Sequence, residues 1–349
     1  MRALTVAPGV AGSARVEDLP DPPPSDGAVL VRTLALGVCG TDREIAAGRY
    51  GWPPPGRQRL VIGHESLGQV QEAPAGCGVK AGDLVVGIVR RPDPVPCPAC
   101  AVGEWDMCRN GRYTERGIKE RNGFGSELFR TEPGFLVKVD PALGIAGVLL
   151  EPTSVVAKAW DHTERIGRRS RSWQPKTLLV TGAGPVGLLA ALMGAQRGLE
   201  VHVLDHRDNL HKRRLFDALG AAYHVESLRQ LDGFAPDILM ECSGAPSVVR
   251  EALGRAAAGG IVCLVGVTDP GHDFDIDVGA FNRAMVLGNE TVFGTVNANR
   301  AHYEMAAETL ARADKAWLDG LISRREPVEQ WTRSLARQPD DIKVIIDFS

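Results

Sequence analysis

The chain has 349 residues, 44% of them hydrophobic and 24% charged, with Lys and Arg at 40 against Asp and Glu at 43. That length exceeds one ordinary core and points to two domains, and the composition is that of a globular enzyme-sized protein. A slightly negative balance with no long basic block argues against nucleic acid as a partner.

The N-terminus, MRALTVAPGV, lacks the apolar core and small-residue cleavage site of a signal peptide. Seven cysteines, three of them clustered, fit a reducing cytoplasm with some thiols used for metal better than a disulfide framework. Residues 1 to about 150 are rich in Gly and Pro, with short apolar runs at Ala28–Leu36, Leu60–Val70 and Leu84–Val89 between turn signals. They read as small strands of an irregular β domain without internal repeats.

Within this part, LVIGHESLG sets His64 beside Glu65 at the end of an apolar run, and Cys39 stands 25 residues upstream in GVCGTD. Imidazole, carboxylate and thiolate are the common protein ligands of catalytic zinc. The competing reading of His64 and Glu65 alone is a core histidine satisfied by the adjacent acid. Further on, Cys97-x-x-Cys100 and Cys108 lie in the Pro-rich stretch PDPVPCPACAVGEWDMC. Three thiols crowded in one loop suggest a structural zinc, which demands a closed shell of four ligands. Asp93 is the first choice for the fourth, with Glu104 and Asp106 also in range; three reduced cysteines without metal is the alternative. Cys77, Cys242 and Cys263 stand singly and read as packing residues.

From Glu151 the texture changes. Pro152 sits where a helix would start, and Thr153–Trp160 have good helix content. Strands are expected at Thr177–Thr181, Glu200–Leu204, Asp237–Cys242, Ile261–Val267 and Thr291–Val296, with helices at Pro185–Arg197, Leu210–Leu219 and Pro246–Ala257. Such alternation builds a parallel sheet covered on both faces. The uncharged run Thr177–Gln196 is interrupted by Gly182, Gly184 and Pro185, so it reads as strand, turn and helix and not as a membrane span. The expected division is 1–156, 157–296 and a return to the first domain over 297–349.

Gly182-Ala183-Gly184-Pro185-Val186-Gly187 follows a strand and opens a helix, which is the context a dinucleotide-binding turn requires. The helix N-terminus then meets the pyrophosphate with free N–H groups. Asp205, 18 positions beyond Gly187, ends the next strand. A carboxylate there accepts from the ribose hydroxyls and repels a 2′-phosphate, which favours NAD. Arg207 points the other way, since a guanidinium could grip that phosphate and admit NADP.

The segments GVCGTD, GHESLG, the cysteine lobe, LLEPTSVV and VTGAGPVG, in this order and spacing, resemble the zinc-dependent medium-chain dehydrogenases over essentially the whole chain. VRRPDP, ERGIKERNGFGSE and FGTVNANRAHYE make it most similar, within them, to the glucose 1-dehydrogenases. The resemblance implies an α/β protein with a GroES-like β-rich catalytic domain and a Rossmann doubly wound parallel-sheet domain. It implies hydride transfer from C1 of an aldose such as D-glucose to NAD(P), giving a lactone, by a homo-oligomer, tetramer or dimer. Cys39, His64 and Glu151 match its catalytic zinc positions, and Glu65 matches the adjacent acid that can bind or approach the metal. Thr41 matches the hydroxyl that relays the substrate proton, and Glu115 and Asn297 match positions touching sugar hydroxyls or the nicotinamide end. Pro94 stands where the family's fuller lobe has a cysteine, which leaves the structural zinc's fourth ligand open. The alternatives are a polyol or secondary-alcohol dehydrogenase of the same fold, or a non-catalytic nucleotide-binding relative; a membrane partner is not expected.

Overall fold

The strand Val29–Val38 is the spine of the catalytic part of the chain. Its first residues alternate between inward Val29, Val31 and Thr33 and outward Leu30 and Arg32, while Ala35–Val38 are buried on both faces. It pairs antiparallel with Glu65–Glu72, with Leu128–Thr131 and with the C-terminal strand Lys343–Asp347, inside a seven-stranded sheet. The register is what matters for function: Gly37 lies opposite both Glu65 and Ile345, and Val38 lies opposite Val344. Cys39, Glu65 and Lys343 are thereby drawn to one end of the sheet.

These features come from a computed structural model, which describes residues 1–225, 227–231, 233–268, 271 and 275–349. The chain divides into two units, Met1–Ser154 with Asn297–Ser349, and Val155–Val296. In the first, the apolar run Leu60–Val70 is two strands and not one. Leu60–Val61 pairs with Arg2–Val6, Glu65–Glu72 joins the large sheet, and Gly63 at φ 91° separates them. A residue in that conformation cannot continue a strand, so the apolar pattern runs through a turn that periodicity alone does not reveal. Leu4, Val31, Ile62, Phe124 and Ile346 are fully or almost fully buried in the core beneath, where Phe124 and Phe129 meet edge to face with centroids 4.7 Å apart. A small three-stranded sheet of Arg90–Arg91, Thr114–Arg116 and Glu120–Arg121 sets Arg90 directly opposite Glu115.

The second unit carries six parallel strands in the order Ala222–His224, Glu200–Leu204, Thr177–Thr181, Ile238–Glu241, Ile261–Leu264 and Thr291–Gly294. The central strands TLLVT and ILME are almost wholly buried, as helix-covered parallel strands must be. Helices Pro185–Ala195, Leu210–Ala218, Pro246–Ala252 and Val278–Gly288 alternate with the strands. The third ends five residues before the sequence pattern does, because Gly254 takes φ 74° and breaks the turn. Strands Ile261–Leu264 and Thr291–Gly294 likewise end short of Val267 and Val296.

The helix Leu150–Gly167 is longer than the expected Thr153–Trp160. With the 3-10 turns before it, the segment Pro141–Gly167 is long and apolar enough to cross a membrane, but 78% of its apolar window is buried inside the fold. Its apolar character is that of a core element. Thr177–Gln196, the other apolar run, is a strand, a turn and a helix.

Candidate active site

Cys39 caps the short helix Gly40–Ala46, and its N–H donates to Asp42 Oδ2 at 2.9 Å. The Cys39 sulfur lies 4.0 Å from the hydroxyl of Thr41. His64 and Glu65 arrive from the strand after Gly63. The metal-binding atoms of Cys39, His64 and Glu65 all lie within 4.8 Å of one another, with His64 and Glu65 buried and Cys39 half-buried. Thiol, imidazole and carboxylate so gathered form the mixed donor set that a catalytic zinc takes. His64 Nδ1 stands 3.4 Å from Asp42 Oδ1, so the carboxylate faces the imidazole inside the fold. Burial pushes the His64 ring toward neutrality, but Asp42 and the Cys39 thiol more than offset this and raise its pKa.

Glu65 is also held from its other side. Lys343 Nζ donates to both its oxygens, at 2.7 and 2.5 Å, in a pair buried to 3% and 2% side-chain exposure. The Glu65 carboxylate crosses directly over Gly37, where an added Cβ would sit 2.1 Å from Oε2. Only glycine leaves room for this acid. Glu151, at the start of the long helix, is buried and lies outside the three-residue cluster. Burial pushes its carboxyl up to about 7; the His64 charge works against this and the Glu65 charge adds to it.

The cysteine lobe is a second cluster. The sulfurs of Cys97, Cys100 and Cys108 lie within 4.8 Å of one another. Backbone N–H groups of Arg109 and Cys100 aimed at Cys97 pull its thiol down to about 6, whereas burial pushes Cys100 up to about 11. Asp93 is buried next to them, but its carboxylate accepts from Asn110 Nδ2 and Val95 N, both at 2.8 Å, and faces Arg112 at 3.4 Å. It is not among the clustered ligand atoms. Asp106 accepts from Asn299 Nδ2 at 2.9 Å, and Glu104 is half-buried.

Glu115 and Asn297, 182 residues apart, meet directly: Asn297 Nδ2 donates to Glu115 Oε1 at 2.8 Å. Asn297 sits at φ 62°, a left-handed conformation that asparagine tolerates better than most residues, and its Oδ1 accepts from Ala298 N at 2.8 Å. That bond turns its amide nitrogen toward Glu115.

In the second unit the glycine turn joins Thr177–Thr181 to the helix Pro185–Ala195, with Pro185 at the first helical position. A Cβ on Gly187 would lie 1.8 Å from the carbonyl oxygen of Gly182, so the helix can pack against the turn only with glycine there. Gly182 and Asp205 line one cavity of about 420 Å³ with Ser243 and Ala245. Asp205 is buried; Lys212 Nζ donates to Oδ2 at 2.7 Å and His206 N to Oδ1 at 2.9 Å. Burial would raise its carboxyl, but these partners hold it below the usual range. The side chain of Arg207 is exposed.

Four residues escaped the sequence reading. Asp42 lies three positions past Cys39 on one helical turn, a spacing that could have suggested a partner for the histidine. Lys343 opens the apolar run KVII and looks like a strand end. Lys212 is one of three basic residues in HKRR. Arg90 follows an apolar run within VRRPDP and was given no role of its own, yet Arg90 and Arg91 are 5% and 4% exposed.

Residues 25–141 match the alcohol dehydrogenase GroES-like domain, and residues 144–348 match the glucose dehydrogenase C-terminus. The glucose 1-dehydrogenase of Methanocella arvoryzae is 39% identical across 100% of this chain and 99% of its own. That of Thermoproteus tenax is 39% identical over 99% of both. The solved structure of Haloferax mediterranei glucose dehydrogenase in complex with NADP, Zn and gluconolactone is similar with a TM-score of 0.91 at 32% identity, covering 100% of this chain and 99% of that one. With its two domain matches, these full-length relatives and the donor set described above, the chain belongs to the glucose dehydrogenase family of zinc-dependent medium-chain dehydrogenases.

Proposed function

We propose that this protein oxidises an aldose, D-glucose or a close relative, at C1 and transfers the hydride to NAD(P), giving the lactone. The observation that carries the reading is the thiol, imidazole and carboxylate of Cys39, His64 and Glu65 within 4.8 Å of one another. We assign the catalytic metal to these three, with Glu151 as a further carboxylate able to replace Glu65 or to contact substrate. A zinc ion held there supplies Lewis acidity to the substrate hydroxyl, and a nicotinamide supplies the hydride acceptor.

The chain's own residues do the rest. Asp42 orients His64, and Lys343 keeps Glu65 from closing the site as a fixed ligand. Thr41 passes the hydroxyl proton outward; it is too weak an acid and base to do more than relay. Glu115 and Asn297 bind sugar hydroxyls, and each one left unpaired in a buried pocket would cost about 1–3 kcal/mol. Gly182, Gly184, Pro185, Val186 and Gly187 receive the pyrophosphate. Asp205 favours NAD, while Lys212 beside it and the exposed Arg207 leave room for NADP.

Cys97, Cys100 and Cys108 are the natural holders of a structural zinc. For Asp93 to complete that shell it must release Asn110 or Val95. A homo-oligomer is supported by the edge strand Thr291–Gly294 and by the neighbouring helix Val278–Gly288, whose Val278, Val286 and Leu287 are 65%, 63% and 66% exposed. Seven free thiols suit a reducing cytoplasm.

The test is a panel of aldoses and polyols assayed with NAD and NADP in parallel, on the wild type and on Asp205→Ala. Higher kcat/KM on aldoses, with the variant's preference moved toward NADP, supports the reading. Polyols turned over as well as aldoses would reassign the substrate, and an unmoved cofactor ratio would remove Asp205 from ribose recognition.

A further inference from the structure

Glu115 does not stand alone in its pocket. Opposite it across the small sheet, Arg90 Nε and Nη2 both donate to Oε1, at 3.1 and 2.9 Å. This is the same oxygen that accepts from Asn297. Three donors saturate Oε1, and no donor among the described residues reaches Oε2. The guanidinium is itself locked: its carbon lies 3.8 Å from the centroid of the Tyr113 ring, and Nη1 donates at 3.0 Å to the carbonyl of Asp106, inside the cysteine lobe. Asp106 in turn takes Asn299, two residues past Asn297, on its carboxylate. The lobe therefore braces both sides of the Glu115–Asn297 contact.

Building on the assignment of Glu115 to sugar binding, we propose that Arg90 is the positioning residue of sugar recognition, fixing Glu115 so that Oε2 alone is presented to a substrate hydroxyl. Lysine cannot do this. Its single ammonium lacks the planar fork that places two donors on one oxygen and a third on Asp106, and it does not stack on Tyr113 in the same way. The ion pair is buried, with side chains 6% and 8% exposed, so its geometry is not blurred by solvent.

Arg90→Lys keeps the charge and loses the direction. Steady-state kinetics should show the sugar KM raised about tenfold or more, with the cofactor KM little moved. The second readout is a set of monodeoxy glucoses. The variant's defect should shrink on the one sugar that lacks the hydroxyl bound by Glu115, because that contact is already gone. An equal defect on every deoxy sugar, equal rises in sugar and cofactor KM, or no defect at all overturns the proposal. If Arg90→Lys does not fold, Tyr113→Leu removes the ring on which Arg90, and also Lys119, rest and should raise the sugar KM a few-fold; an unchanged value counts against the proposal. Glu115→Gln separates the two levels. A sugar KM unmoved by Glu115→Gln removes the sugar site itself, whereas one raised there but not in Arg90→Lys removes only the role of Arg90.

Discussion

The two sulfur-bearing clusters of the first unit are built from different materials, and the difference fits the separate tasks proposed for them. Around Cys39 one thiol meets an imidazole and a carboxylate, and each has a second partner: Thr41 for the sulfur, Asp42 for His64, Lys343 for Glu65. Around Cys97 three sulfurs gather with backbone N–H groups as their main support. Mixed donors with competing partners can change coordination and leave a position for substrate; thiolates on a tight loop favour a closed shell that ties the loop down. We therefore propose the first cluster as the place for chemistry and the second as a staple. The second cluster is not remote from the proposed sugar site, since its Asp106 carbonyl holds Arg90 and, through it, Glu115.

The contrast is broken most forcefully by exchanging which cluster is damaged. His64→Ala should lower kcat about a thousandfold or more, because several kcal/mol of charge stabilisation leave with the metal. Cys97→Ser should keep kcat within a few-fold and lower the unfolding temperature instead. Parallel assays and melting curves decide, and a reversed pattern would exchange the two roles.

Next in size is the buried partner of Glu65. In protein stripped of metal, Lys343→Met leaves a carboxylate unpaired in the protein interior, which costs about 3–5 kcal/mol, and Lys343→Met with Glu65→Gln should recover much of the loss. Urea unfolding of both variants measures it; a single variant as stable as wild type would mean that Glu65 has another partner.

The smallest effect sharpens the description of the staple. In protein stripped of metal, thiolate forms as pH rises, so Cys97, held down to about 6, should be alkylated from mildly acidic pH upward. Cys100, pushed up to about 11, should stay protected through neutrality. Mass spectrometry of the labelled peptides reads the order, and labelling of Cys100 first would contradict this account of the lobe.

What could be read from the letters was whatever is local. The glycine turn, the cysteine spacing and the His64-Glu65 pair each lie within a dozen residues, and alternating strands and helices marked the second unit. The partners that tune these groups were illegible because sheet register, not sequence proximity, brings them in. Lys343 reaches Glu65 across 278 positions, through a strand pairing that sets Val344 against Val38. Arg90 and Glu115 are only 25 apart, but nothing in VRRPDP points to Glu115 until the cross-strand pairing is known. The turn at Gly63 was legible as a small-residue turn closing an apolar run, but not that Leu60–Val61 and Glu65–Glu72 pair in different sheets.

The most direct test of the division between chemistry and staple is to strip the metal and return zinc stepwise, following turnover on glucose and the unfolding temperature in the same samples. Turnover rising with occupancy of the Cys39 centre, and unfolding temperature rising with occupancy of the Cys97 lobe, is the predicted result. Full turnover in protein free of metal would contradict it.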